Sequence, residues 1–418
     1  MPEQVRIVHA ADIHLDSRLH GLGRLGRDDV VGELRLATRR AFDALVDHCL
    51  ATVPDALVIA GDLYDGDWTD YATGVHFTER MRDLHDAGVP VVLVRGNHDA
   101  ESVISRSLQL PPTVHQLATD TPESVELGGL VVHGQGFAKP AVTANLALAY
   151  PAPRSGMVNV GLLHTSVQGY DGHDPYAPCT LTDLQGRGYE YFALGHVHQR
   201  QVLAGGEHTV AFSGNLQGRH PRETGPKGAL EVVLTPRGEA QVSFVPFDVA
   251  RWERLEVDVT DAADRAEALA LVDSAVAAAS DAAEGRPVVA KVVLVGESRL
   301  AGELADRERL GHEVRPAAAR HEVVVDTVRS DVVVPAERRR MPAAQRDVLA
   351  QVVSDVLADP AALRRDPVLA RDLDQLTSEL NQDFLRGAGL DLTDDARFAE
   401  IVAEAAQRLL ARADAGVL

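Results

Sequence analysis

Short runs of valine, isoleucine and leucine alternate with amphipathic stretches along the first half of the chain. Residues 5–10, 56–60 and 89–94 read as buried strands, each followed closely by Asp, His, Gly or Asn. Between them, 33–50 and 69–87 carry apolar positions at helical spacing. Gly128-Gly129 separates two further strands, 124–127 and 130–134, as a two-residue hairpin would. Later strands are predicted at 159–163, 189–194, 209–212, 229–234 and 240–245. Strand and helix alternating in this way predict an α/β layered fold, with sheets covered by helices.

The texture changes near Asp248. A strand at 255–259, an alanine-rich helix at 262–283, a strand at 288–295 and, after a polar segment, a strand at 322–328 make a small α/β unit. Beyond Pro335 the pattern is helical, at 343–357, 369–385 and 395–412, interrupted by Pro360, Pro367 and Arg386-Gly-Ala-Gly389. The expected domains are 1–250, 251–332 and 333–418.

Composition narrows the class. A chain of 418 residues, 45% hydrophobic and 25% charged, is too long for one ordinary domain and too apolar for a disordered one. It has no run of about 18 to 20 apolar residues that would span a membrane. The N-terminus lacks the basic-then-apolar pattern of a signal peptide, and Cys49 and Cys179 offer no disulfide framework, so a cytoplasmic protein is expected. Net charge is −21, with 62 acidic against 41 basic residues. Such a balance argues against strong autonomous binding to nucleic acid or an anionic membrane. A polyanionic substrate would need local positive charge, a bound cation, or a partner that supplies the grip.

Five short motifs fall at predicted strand ends: Asp12-Ile-His14, Gly61-Asp62-Leu-Tyr-Asp65, Gly96-Asn97-His98-Asp99, His164, and Gly195-His196-Val-His198. Open α/β sheets gather functional groups beyond the carboxyl ends of their strands, so these residues should converge. Carboxylate, imidazole and amide oxygen without thiolate suit a divalent ion such as manganese, iron or zinc. Seven candidate ligands exceed what one catalytic metal with an open position can use. Two metals bridged by a carboxylate fit the number, and such pairs clamp the attacking and departing oxygens of phosphoester hydrolysis.

This ordered set resembles the calcineurin-like metallophosphoesterases, whose pattern D-x-H, G-D-x-x-D, G-N-H-D, H, G-H-x-H is met at each station. The resemblance implies a sandwich of two central mixed sheets flanked by helices, followed by a small α/β cap-like domain and a helical C-terminal region. It also implies that Asp12, His14 and His198 hold one metal, that Asn97, His164 and His196 hold the other, and that Asp62 bridges them. A hydroxide between the metals would attack phosphorus in line. His98 would stabilise the developing charge or protonate the leaving oxygen, with Asp99 orienting its ring. Asp65 would stand behind the ligands. The metals expected are two divalent ions, manganese first, with iron, zinc or magnesium as alternatives.

Within that family, the opening 7–17, the run Phe212-Ser-Gly-Asn-Leu-Gln-Gly218 and the following Arg222-Glu-Thr-Gly-Pro-Lys-Gly228 are similar to SbcD-type DNA repair nucleases. Gly61-Asp-Leu-Tyr-Asp-Gly-Asp-Trp68, Leu163-His-Thr-Ser166 and Pro175-Tyr-Ala-Pro-Cys179 are shared with the YhaO-type branch. The resemblance implies a DNA exonuclease or endonuclease acting on DNA ends in repair, with an SMC-like ATPase of the SbcC/YhaN type as partner and a homodimer as its assembly. No G-x-x-x-x-G-K-[ST] loop is present, so the ATPase would be a separate chain. The helices after residue 333 would dock on it. One departure is Asp65, where better-known archaeal and eukaryotic nucleases of the group carry His. For DNA contact the candidates are Arg18, Arg219 and Arg222, with His220 and Lys227 nearby. The alternatives are a phosphodiesterase of nucleotides or other small phosphodiesters, and a DNA-end binding subunit of an ATPase complex with little catalysis.

Overall fold

The computed structural model describes residues 4–17, 28–65, 71–101, 109–168, 176–236, 238–335, 343–366, 369–371, 373 and 395–414. In chain order the first elements are β1 (Val5–Ala10), α1 (Asp28–Arg35), α2 (Ala37–Thr52), β2 (Ala56–Ile59), α3 (Tyr71–Asp86), β3 (Val91–Leu93), α4 (Asn97–Glu101) and β4 (Val114–Gln116). They are followed by β5 (Glu123–Leu127), β6 (Leu130–Gly134), β7 (Val158–His164), α5 (Leu181–Gln185), β8 (Tyr191–Gly195), β9 (Gln201–Ala204), β10 (Thr209–Phe212), β11 (Gly228–Leu234) and β12 (Gln241–Pro246). The later elements are β13 (Arg251–Asp258), α6 (Arg265–Ala282), β14 (Val288–Val295), α7 (Ala301–Leu304), α8 (Arg307–Ala319), β15 (Val323–Ser330), α9 (Ala343–Ala358), α10 (Pro360–Arg365) and α11 (Asp395–Asp414).

Two mixed six-stranded sheets carry the fold, in the orders β12-β11-β1-β2-β3-β4 and β5-β6-β7-β8-β10-β9. The period-2 alternation of each strand sorts its residues between two cores. Ile7, Val58 and Val92 of the first sheet meet Val132, Val160 and Ala193 of the second. Val8, Leu57 and Ile59, one residue out of phase, pack on Phe42 and Leu45 of α2 and Phe77 and Met81 of α3. Burial on both faces explains why these strands read as nearly continuous apolar runs. Leu163, Phe192 and Phe212 form a third core with Tyr150, Leu184 and Tyr189 on the far side of the second sheet. The layered α/β architecture is therefore the one the sequence predicts.

Strands β1, β2 and β3 are parallel neighbours, as are β7 and β8. Their carboxyl ends thus emerge together, carrying all five motifs. A third sheet, β13-β14-β15, has Trp252, Val289 and Val324 packed with Val31 and Leu34 of α1. The chain divides into two compact units, Met1–Val257 with Leu269–Val293 and Arg307–Arg329, and Asp258–Ala268 with Leu294–Asp306 and Ser330–Leu418. In the second unit α11 packs against α9 and α10. Among the described residues no helix is long and apolar enough to cross a membrane.

Local differences from the sequence reading have physical causes. The helix predicted over 33–50 is broken at Leu36, whose N–H bonds to Glu33 while Leu36 O receives Arg40 N, giving α1 and α2. The polar segment before β15 contains α8, despite Gly311 and Pro316 within it. Leu310, Val314 and Ala318 form a buried stripe at i, i+4 and i+8, so burial overrides poor propensity. Edge strand β9 is four residues long and incompletely buried, and β4 is three residues long; neither gives a periodic signal. The Gly128-Gly129 hairpin forms, with Leu127 opposite Leu130 and Gly128 at φ +61. Of the predicted helix 369–385, nearly all lies outside the described residues.

Candidate metal centre

Two strand exits run side by side before they reach the site. Asp12 N donates to Gly61 O, His14 N to Asp62 O, and Leu15 N to Leu63 O, at 2.8–3.0 Å. The turns are held in uncommon backbone: φ is +48 at Asp12, +44 at His14, +51 at Asp62 and +104 at His196. Non-glycine residues are costly there and persist only where the surroundings hold them, as they commonly do at functional sites. Glycines make the close approaches: a Cβ on Gly96 would lie 2.2 Å from Asp62 Oδ1, and one on Gly61 2.6 Å from His164 Nδ1.

The motif residues converge. Asp12 Oδ1 is 3.9 Å from His198 Nε2, and both Asp12 oxygens accept from His196 N at 3.0–3.1 Å. Asp62 Oδ2 is 3.4 Å from His164 Nε2 and 4.0 Å from His14 Nε2, while Asp62 Oδ1 accepts from His98 N. His164 Nε2 is 2.9 Å from Asn97 Oδ1. The His196 ring lies edge-on to His164, centroids 5.2 Å apart. Ligand atoms of Asp12, His14 and His198 lie within 4.8 Å of one another, as do those of Asp12, Asp62 and His164, and those of His14, Asp62 and His98.

The outward ring nitrogens fix the tautomers. His164 Nδ1 faces Ala60 O at 2.9 Å, and a carbonyl can only accept, so Nδ1 carries the proton. His14 Nδ1 donates to Asp65 Oδ1 at 2.6 Å, and His198 Nδ1 donates to Glu223 Oε1 at 2.5 Å. Burial alone would raise both acids. The proton-donating histidine beside each and the Arg219 guanidinium nevertheless hold Asp65 and Glu223 well below the usual carboxylate range. Three Nε2 lone pairs therefore point inward at acceptor atoms. His14 Nε2 and His198 Nε2 stand 3.3 Å apart with no proton to share. A divalent cation satisfies such a donor set.

Electrostatics agree. Burial pushes Asp12 up to about 6, against the opposing pull of His198 and the His196 N–H. Burial and then the charges of Asp99 and Asp12 raise Asp62. Burial and then Arg219 depress His14 to about 3, and burial followed by His196 lowers His164. Buried carboxylates beside imidazoles that resist protonation leave positive charge to be supplied from elsewhere.

Other sequence-predicted residues land differently. His98 stands at the edge of the cluster, its side chain 42% exposed and its Nδ1 3.9 Å from Asp65 Oδ1. Asp99, expected to orient the His98 ring, instead accepts from the backbone N–H of Gly96, Leu63 and Tyr64, so it clamps the second motif loop to the third. A buried carboxylate amid three amide donors has no geometry left for an imidazole on its own chain neighbour. Arg219 is drawn inward: Nη1 reaches Asp65 at 3.0 and 3.2 Å and Ser17 Oγ at 3.1 Å. Lys227 is buried with Nζ on His198 O. Arg222 and His220 are exposed. Arg18 lies outside the described residues. Burial raises the Cys179 thiol to about 11, which leaves no thiolate for chemistry.

Glu223 is a member of the site that the motifs do not announce, although it lies inside the Arg222–Gly228 run. Its signal in the sequence is slight: one acid in a loop, distant along the chain from the histidine it holds.

Sequence comparison agrees with this geometry. Residues 5–200 match the calcineurin-like phosphoesterase family, and residues 252–333 match the middle domain of metallophosphoesterase YhaO. The chain is 30% identical over 301 residues to the uncharacterized metallophosphoesterase YhaO of Bacillus subtilis, covering 71% of this chain and 73% of that one. The protein therefore belongs to the calcineurin-like metallophosphoesterases and is a metal-dependent phosphoesterase. It is also 28% identical to the DNA double-strand break repair protein Mre11 of Aeropyrum pernix (61% of this chain, 64% of that one). To a subunit of the nuclease SbcCD from Staphylococcus saprophyticus it is 21% identical (60% of this chain, 71% of that one).

Proposed function

We propose that the protein is a two-metal phosphodiesterase acting on DNA ends, working with a separate SMC-like ATPase. The observation that carries this reading is the set of three imidazoles whose Nδ1 protons are all engaged outward, leaving Nε2 lone pairs converging with Asp12 and Asp62. Asp12, His14 and His198 would hold one ion, and Asn97, His164 and His196 the other, with Asp62 shared. Manganese(II) suits this mixed oxygen and imidazole set. When bound, the ions supply a water nucleophile active at neutral pH and neutralise charge on the phosphoryl oxygens. His98, its side chain 42% exposed at the edge of the cluster, would protonate the leaving oxygen.

The similarity to a repair protein and a nuclease subunit supports DNA as substrate. Charge supports an assisted grip: Arg219 and Lys227 are consumed within the fold, leaving Arg222 and His220 on that rim against a net charge of −21. We assign 1–250 to the phosphoesterase, 251–332 to a cap and 333–418 to the partner dock. Val348, Val352, Leu357 and Leu409 are exposed apolar side chains on α9 and α11.

The test is manganese-dependent shortening of end-labelled linear DNA on a denaturing gel, beside a chromogenic phosphodiester, a chelator lane and His98→Ala. Stepwise shortening that disappears in both controls is expected. Hydrolysis of the chromogenic ester with DNA left intact, even with the ATPase added, would move the substrate to small phosphodiesters.

A further inference from the structure

The two histidines with carboxylates behind them are not held independently. Glu223 is 5% exposed at its side chain and lies between four groups. Its Oε1 accepts from His198 Nδ1 at 2.5 Å and lies 3.3 Å from His220 Nε2. Its Oε2 accepts from Asn215 Nδ2 at 3.0 Å and from Arg219 N at 2.6 Å. The Arg219 side chain then crosses to Asp65, which holds His14. One arginine thus joins the two acids that orient the two imidazoles.

The loop carrying this clamp is anchored at its base. Gln217 Oε1 accepts from Val249 N at 2.9 Å, Gln217 Nε2 donates to Ala250 O at 2.7 Å, and Trp252 Nε1 donates to Gly218 O at 3.0 Å. Asn215 N donates to His198 O, so the same loop also grips the backbone of the histidine it orients. A side chain fixed by two donors on one oxygen cannot rotate to offer a different atom to His198 without leaving those donors unpaired.

We infer that Glu223 is a positioning residue that sets His198 in its Nδ1–H form, and that Arg219 couples it to Asp65 so that His14 and His198 are prepared for the same ion together. This rests on the two-metal reading for the ion but not for the tautomer. The neighbours make Glu223→Gln a sharp probe. An amide has one acceptor oxygen, and two donors compete for it on the Asn215 and Arg219 side. The –NH2 then turns toward His198 Nδ1, which can only accept it, and the proton moves to Nε2, the atom needed as a ligand.

The experiment combines 15N NMR of the histidine side chains in metal-free protein with calorimetric titration by manganese(II). Wild type is expected to show His198 as the Nδ1–H tautomer and to bind two ions. Glu223→Gln is expected to show the Nε2–H form, with one of its two affinities weaker by about 10- to 100-fold, the range typical of lost outer partners of metal ligands. The second affinity stays unchanged, and excess manganese restores occupancy. An Nε2–H His198 in wild type, or wild-type affinities at both sites in Glu223→Gln, would overturn the inference. If Glu223→Gln does not fold, the wild-type tautomer alone decides it. If wild type binds no manganese, the two-metal reading fails, while the tautomer still scores the role of Glu223.

Discussion

The two halves of the candidate site are built on different supports. On one side His14 and His198 each rest on a carboxylate, and Arg219 ties those carboxylates together. On the other, His164 rests on a backbone carbonyl, Ala60 O, and its ligand-side neighbour is the neutral amide of Asn97. A carboxylate behind an imidazole raises its basicity and fixes its direction more firmly than a carbonyl does. The first half depends on loop residues gathered from far apart in the chain. The second is fixed by the sheet itself, since His164 ends β7 in register with Gly195, one residue before His196. Sheet-built geometry resists point substitution behind it; loop-built geometry invites it.

The strongest way to break the contrast is to remove the group both halves share. Asp62 is buried between His14 and His164, and on the proposed two-metal reading Asp62→Ala is expected to lose both ions and all detectable hydrolysis, measured by calorimetry with manganese(II) and the chromogenic ester. One ion retained at full affinity would show that Asp62 serves a single half. Next in size is His98→Ala. It should lower turnover by about 10²- to 10⁴-fold, as loss of a general acid does, with metal stoichiometry the same as in wild type. A change in stoichiometry would place His98 among the ligands, as its proximity to His14 and Asp62 allows. Smaller still is Asp65→Asn, which removes the charge behind His14. A loss of about 10- to 100-fold in affinity for one ion, the other being unaffected, is expected from calorimetry. Equal weakening of both ions would erase the distinction between the halves.

Legibility in the sequence follows the same division. Short apolar runs ending in Asp, His or Asn are legible because a strand buried on both faces leaves little else to read, and the sheet then brings those ends together. The family resemblance names the residues, and the fold gathers every one of the seven proposed ligands. The supports behind them are harder to see. Glu223 reaches His198 across 25 positions by a loop with no periodicity. Asp99 stands next to His98 in sequence, which suggests that ring as its partner, whereas its oxygens turn to three amides, two of them more than 30 positions away. Arg219 reads as a surface cation for DNA and is instead bound to Asp65. In each case a polar side chain's destination depends on which loop packs against it, and hydrophobic spacing carries no record of that.

The smallest expected effect provides the background against which the two halves must be measured. His9 sits between the sheets, with Tyr191 Oη donating to Nδ1 and Nε2 donating to Leu194 O. Burial depresses it to about 3, so the folded chain keeps it neutral while the unfolded chain takes up a proton near 6.5. The unfolded state therefore binds more protons below pH 6.5. Its contribution is complete above that pH and is lost as pH falls toward 3, amounting to about 2 kcal/mol by pH 5. His14 acts in the same sense in the metal-free chain, whereas Asp12, raised to about 6, acts in the opposite sense between 3.8 and 6. Manganese should change the site residues' share and leave that of His9 alone. Denaturant unfolding at pH 7.5 and pH 5, with and without manganese, compares wild type with His9→Gln. The difference in pH slope between the two chains should be the same with and without manganese. A His9 share that shifts with manganese would mean that the inter-sheet core and the metal centre are coupled, and that the asymmetry of the two halves extends into the sheets beneath them.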